Sequence, residues 1–196
     1  MRIAITGNIG SGKSYVSLLF KELGIPVFDS DREAKLLYDC PEVRKKMVER
    51  FGSSIYRSDG SLDRALMASK VFADTCALGY VESVLYPALN ERFAEWVDQQ
   101  EAPYVLYESA LIFEKHFEGM FDAVVVVAAS EEVRIRRVMT RDNCTEEQVK
   151  ARMALQLPQS EKVTKADYVI VHEADDEDAF LKEQIRRIHS ELVNRL

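Results

Sequence analysis

The chain has 196 residues, of which 47% are hydrophobic and 30% charged, and a formal net charge of −7. That length suits one domain with an appendage and a sizeable core, and the acidic balance excludes a general nucleic-acid binder, so any phosphate-bearing substrate must be met by locally clustered cations. Cys40, Cys76 and Cys144 form no C-x-x-C pair, and no run of about 18 apolar residues occurs; the sequence therefore reads as a cytoplasmic protein with free thiols, no zinc site, no export signal and no membrane span.

The first apolar stretch, about Arg2 to Thr6, predicts a strand, and Gly7-Asn8-Ile9-Gly10-Ser11-Gly12-Lys13-Ser14 follows it directly. This is a complete G-x-x-x-x-G-K-[ST] pattern between a strand and an amphipathic helix predicted from Lys13 to about Leu23. Glycine leaves successive backbone N–H groups free to point inward, and the positive end of the following helix adds to them, which makes a phosphate cradle. Gly10, Ser11, Gly12, Lys13, Ser14 and Tyr15 are candidate ATP contacts. Lys13 is placed to reach the β/γ-phosphates and Ser14 to hold Mg²⁺.

Gly24 suits a helix C-cap, and Val27-Phe28-Asp29 predicts a short second strand running into Ser30-Asp31. In open parallel sheets ligands sit beyond the carboxyl ends of the strands, so the Asp29-x-Asp31 pair reads either as helix capping or as one capping residue plus one catalytic carboxylate. Residues 32 to 100 show helical spacing (Ala34, Leu37, Tyr38; Val43, Met47, Val48; Val81, Leu85, Leu89, Phe93) and no convincing strand. They are expected to form a helical insertion.

Tyr104 to Glu108 predicts the third strand, and Glu108 at its end reads either as the second half of a magnesium site or as the partner of a buried cation. Phe121 to Val127 is the most emphatic β run and predicts a central fourth strand. Ser130 is expected to cap the next helix. On a helical period Arg134, Arg137 and Arg141 share a face; Arg134 and Arg136 read as solvated, while Arg137 and Arg141 read as phosphate ligands. Thr145 to Gln148 is a capping box opening a short basic helix, to about Leu157, that reads as a lid. Asp167 to Val171 is the fifth strand, and Glu177 to Leu196 a terminal amphipathic helix. His116, His172 and His189 lack metal spacing; only His172 falls near a ligand edge.

The octapeptide, Gly24-Ile25-Pro26-Val27-Phe28-Asp29-Ser30-Asp31, Ala110-Leu111-Ile112-Phe113-Glu114, Arg141-Asp142, Gln156 and Ala166-Asp167 together resemble the dephospho-coenzyme A kinases, over nearly the whole chain. The resemblance implies an α/β P-loop kinase fold, with a five-stranded parallel sheet flanked by helices. It divides the chain into a nucleotide-binding core (1–31 and 101–196), a helical coenzyme-binding insertion (32–100) and a small lid (141–160). It further implies transfer of the ATP γ-phosphoryl to the 3′-hydroxyl of dephospho-coenzyme A, with Mg²⁺ accompanying ATP. Asp31 would be general base and Arg141 the arginine that stabilises charge on the transferring group, alongside Lys13; Ser14 would hold the metal, with Glu108 acting through water. The sequence departs from the family pattern at Asn8, Tyr15, Tyr86, Ala110 and His172. Oligomeric state is not legible in it.

Three alternatives compete. Another small-molecule P-loop kinase would share the first two strands. A GTPase-type switch finds a superficial base-reading motif in Thr164-Lys165-Ala166-Asp167, but this precedes a strand rather than following one. A nucleotide-dependent binding module would give no reason for Asp31.

Overall fold

Short apolar runs that can be covered on both faces form parallel strands. Here β1 (Arg2–Thr6), β2 (Val27–Asp29), β3 (Val105–Glu108), β4 (Ala123–Ala128) and β5 (Tyr168–Val171) make one sheet in the order β2-β3-β1-β4-β5, every neighbouring pair parallel. The computed structural model describes residues 1–72, 74–173 and 178–195. The strand order reverses at β1, since β3 lies on one side of it and β4 on the other. A crevice opens at such a reversal beyond the carboxyl ends, and the segment leaving β1 there is the glycine-rich octapeptide.

All six residues of β4 are buried, and β1 and β5 flank it, as its composition predicts. Tyr104 and Asp167 each fall just ahead of their strands. Helix α1 (Lys13–Glu22) is closed by Leu23 and Gly24: the Gly24 N–H donates to Lys21 O and the Ile25 N–H to Phe20 O, with Gly24 at φ 81°. That pair of bonds satisfies carbonyls the helix cannot, and it needs a left-handed residue, hence glycine.

One core cluster joins Ile3, Ile5, Leu106, Val125 and Ile170 of the sheet to Val16, Leu19 and Phe20 of α1 and to Leu181, Ile185, Ile188 and Leu192 of the last helix, α9 (Asp178–Val193). Glu177 and Leu196, the expected bounds of that helix, lie outside the described residues. Between β4 and β5 the chain forms α6 (Glu131–Asp142), α7 (Glu146–Met153) and α8 (Gln159–Lys165). The capping box at α7 is complete, with Thr145 Oγ1 accepting from the Gln148 N–H and Gln148 Oε1 from the Thr145 N–H.

Two expectations for α6 are corrected. Ser130 sits at the N-cap, but its hydroxyl donates to Glu173 Oε2 (2.8 Å) instead of accepting from the helix, because the Glu173 carboxylate is a stronger acceptor within reach. Arg134 is buried at 6% exposure, its Nε donating to Ala129 O, so it is packed under the loop rather than solvated; only Arg136 faces water.

The chain forms two compact units, Met1–Asp29 with Gln100–Leu196, and Ser30–Gln99. The second unit is helical: α2 (Ser30–Leu37), α3 (Pro41–Phe51), a 3₁₀ turn (Ser53–Ile55), α4 (Arg64–Phe72) and α5 (Thr75–Val97). Helix α5 packs against α2, α3 and α4, burying Ala77, Val81, Leu85, Leu89 and Phe93 at a spacing of three or four residues. Arg92 Nε donates to Glu33 Oε2 at 2.6 Å, tying α5 to α2. Among the described residues no helix is long and apolar enough to cross a membrane.

Candidate active site

Ser11 donates its N–H to Asn8 O (3.0 Å), closing the loop, and the first turn of α1 starts at Gly12 O, which accepts from Tyr15 and Val16. The opening N–H groups of α1 have no helical carbonyl to meet, so they are available to an anion, and the helix dipole favours one. Gly10 and Gly12 both have positive φ, 81° and 88°. A Cβ on Gly10 would strike the Arg134 backbone, and one on Gly12 the His172 ring. Strain and collision together make Gly12→Ala costly: we expect a loss of at least about 2 kcal/mol in stability or a collapsed nucleotide affinity. Chemical denaturation beside nucleotide titration checks this, and a variant matching the parent in both would refute it.

Lys13 and Ser14 leave the loop at the start of α1 and converge on one acceptor. Lys13 Nζ donates to Glu108 Oε1 at 2.9 Å, and Ser14 Oγ donates to the same oxygen at 2.7 Å. Glu108 arrives there because β3 pairs with β1 and β2, which sets it beside Ile5 and Asp29 at the carboxyl edge of the sheet. Burial pushes the Glu108 carboxyl up, but the Lys13 charge and the two donated hydrogen bonds outweigh it and hold the group below its ordinary range. Of the two readings of Glu108, partnership with a buried cation is therefore present. Its carboxylate and the Ser14 hydroxyl are also hard oxygen donors in direct contact, a set that fits Mg²⁺ carried in with phosphates.

This cluster borders a cavity of about 420 Å³ lined by residues 7–15, Ala110, Arg137, Val138, Arg141 and Gln156. Arg137 reaches back across the loop: Nη1 donates to the carbonyls of Ser11 (3.3 Å) and His172 (3.0 Å), which aims its charge at the cradle from the side. Arg141 also lines the cavity, held by a two-point contact in which Nε and Nη2 donate to the Asp142 oxygens (2.7 and 3.0 Å). Asp142 accepts from Arg152 of α7 as well, at 2.7 Å, and these guanidinium groups, Arg141 first, lower its carboxyl to about 2. The carboxylate therefore stays ionised at any physiological pH and joins Arg141 of α6 to Arg152 of α7. In a chain of net charge −7, Lys13, Arg137 and Arg141 thus line one cavity.

Tyr15 stacks on His172 (5.7 Å between centroids) and its hydroxyl donates to Asp178 Oδ1 (2.8 Å), placing both unusual residues at one side of the loop. Ala110 lines the cavity too. Asp31 and Tyr86 belong to the helical unit; Asp31 is exposed in the first turn of α2, two residues past β2. The Thr164 to Asp167 segment does not serve a base. Asp167 accepts from the Val124 N–H at the amino end of the sheet, away from the ligand edge.

Sequence reasoning missed the outer support of the loop. Asn8 Nδ2 donates to Leu157 O (2.8 Å), the Ile9 N–H donates to Gln156 Oε1 (2.8 Å), and Leu157 N–H donates to Glu114 Oε1 (3.1 Å). Gln156 and Glu114 stood out only as resemblances. Lys162, wholly buried and paired with Glu114, carried no signal, because a lysine in a polar helix reads as solvated.

A parallel sheet reversing beside a glycine cradle, with a lysine, a serine and a strand-end carboxylate beside it and two arginines of α6 lining the cavity, defines a P-loop phosphotransferase. The sequence model of the dephospho-CoA kinase family matches residues 1–178. The dephospho-CoA kinase of Syntrophotalea carbinolica is 38% identical over 174 residues, covering 86% of this chain and 82% of its own. That of Thermus thermophilus is 37% identical over 191 residues, covering 97% and 91%. A crystal structure from Thermus thermophilus superposes with a TM-score of 0.86 at 35% identity, covering 98% of this chain and 97% of that one. The chain belongs to the dephospho-CoA kinase family.

Proposed function

We propose that the protein transfers the γ-phosphoryl group of ATP to the 3′-hydroxyl of dephospho-coenzyme A, giving coenzyme A and ADP in the cytoplasm. The observation that carries the chemistry is that Lys13 and Ser14, which converge on Glu108, line one cavity with Arg137 and Arg141. Family membership supports the acceptor, and three free cysteines suit a reducing compartment.

In this reading the cradle N–H groups of residues 10 to 14 bind and orient the β- and γ-phosphates, and Lys13 places its charge on them. Ser14, with Glu108 through water, would hold Mg²⁺, which when bound would neutralise charge on the phosphates. The acceptor hydroxyl attacks the γ-phosphorus in line, the P–O bond to ADP breaks, and Asp31 takes the hydroxyl proton as general base. Arg141, and Arg137 beside the loop, face the charge that spreads over the transferring group. The lid helices exclude water, which otherwise competes as acceptor. The helical unit of residues 32–100 supplies the coenzyme contacts.

The test is ADP release from Mg²⁺-ATP with dephospho-coenzyme A offered beside AMP, CMP, shikimate and gluconate. Selective turnover with dephospho-coenzyme A is expected. Preference for another acceptor would overturn the substrate, and slow, acceptor-independent hydrolysis would overturn the transferase.

A further inference from the structure

Lys162 is fully buried in α8, and its Nζ donates to Glu114 Oε1 (2.6 Å) and to the carbonyl of Ala110 (3.0 Å), so one ammonium holds both ends of the segment that follows β3. The same Glu114 oxygen accepts the Leu157 N–H, and the Leu157 carbonyl accepts from the Asn8 side chain inside the phosphate loop. Next to it Gln156 accepts the Ile9 N–H. The Ile9 side chain is pinned as well, against Ile135, Val138 and Val149 of α6 and α7. An unbroken run of contacts thus leads from a buried cation to two loop residues that do not themselves carry the catalytic groups.

This arrangement is a poor device for stability. Burial pushes the Lys162 ammonium down, and Glu114 Oε2 is buried without a hydrogen-bond partner among the described residues. A half-satisfied buried ion pair is commonly matched or bettered by apolar side chains of similar volume. What the pair does supply is direction. A charge-assisted bond at 2.6 Å fixes one carboxylate oxygen, and that oxygen fixes the Leu157 peptide, whose carbonyl then faces Asn8.

We propose that Lys162 and Glu114 are positioning residues for phosphoryl transfer: through the 156–157 peptide they clamp Asn8 and Ile9 from outside and so set the curvature of the phosphate cradle. The inference rests on the cradle being the ATP site. Misplacing a reacting group by about an ångström lowers rate about 100-fold while leaving the fold intact, and that is the scale expected here.

The experiment compares the full-length parent with Lys162→Met/Glu114→Leu, which replaces the ion pair by an apolar one, and with Asn8→Ala, which cuts only the last link. Three quantities are read: Tm, amide hydrogen exchange over residues 8–12 without ligand, and steady-state kcat with the KM values for Mg²⁺-ATP and for the acceptor. In the double variant Tm stays at or above the parent's, exchange over the loop accelerates about tenfold or more, and kcat falls about 100-fold with the acceptor KM little changed. Asn8→Ala is expected to accelerate the same amides with the ion pair untouched, and it decides the matter if the double variant fails to fold. Parent-like exchange and parent-like kcat in whichever variant folds would overturn the clamp. The exchange readout needs no nucleotide. A parent enzyme that made no ADP would therefore defeat the ATP reading while leaving the clamp decided by exchange.

Discussion

Replacing Lys13 by methionine is expected to lower kcat/KM for ATP by about 10³-fold or more, because a charge preorganised on the transferring phosphates is removed from a sheltered site. The same change has a second signature that no purely catalytic lysine would give. Lys13 holds the Glu108 carboxyl below its ordinary range against burial. A depressed carboxylate contributes stability that is present above its unfolded pKa and lost as pH falls through the folded one. Without Lys13, its charge and its hydrogen bond are lost while the burial that raises the carboxyl remains, so the folded pKa of Glu108 rises and this stabilisation shrinks. The variant is then destabilised near pH 7 by up to about 3 kcal/mol. Its deficit against the parent narrows as the pH is lowered into the carboxylate range and Glu108 takes up a proton. Denaturation midpoints of both proteins between pH 4 and about 8, the span over which a raised carboxylate titrates, measure this. Equal midpoints at every pH would show that the Lys13–Glu108 contact contributes nothing to the fold.

Asp31→Asn is expected to keep ATP affinity within about twofold while kcat falls about 10³-fold, the middle of the range for losing a general base. Asparagine keeps the shape and removes the negative charge, and with it the capacity to accept the hydroxyl proton. The structural cost is small: Asp31 is exposed, and with Glu33 it places negative charge in the first turn of α2, so the loss of one such charge is worth about 0.5 kcal/mol. Stability and catalysis therefore separate cleanly. Nucleotide binding measured by calorimetry and turnover measured by ADP release form the test. Turnover near that of the parent would remove Asp31 from the chemistry and leave its charge in the first turn of α2 as its role.

The glycine cradle, its flanking strand and helix, and the five strands were legible in the chain because each rests on local rules: glycine where φ is positive, apolar continuity where both faces are covered, and a capping box at Thr145. The helical nature of residues 32–100 was legible for the same reason, from three- and four-residue spacing. Ser130 and Arg134 were misread because local propensity does not say what else comes near. Glu173, 43 residues away, captures the serine, and the loop at Gly10 lies over the arginine.

The sequence by itself determined the elements, the glycine cradle and the family, since the octapeptide carries its own geometry and the family pattern carries the acceptor. Only the tertiary structure decided that Glu108 meets Lys13 and Ser14, that Asp142 gathers Arg141 and Arg152, and that a buried lysine in α8 supports the loop near the N-terminus. Asn8 and Leu157 are 149 positions apart. Contacts of that span depend on strand order, register and the burial of charge in a shared interior, and no window of sequence encodes those.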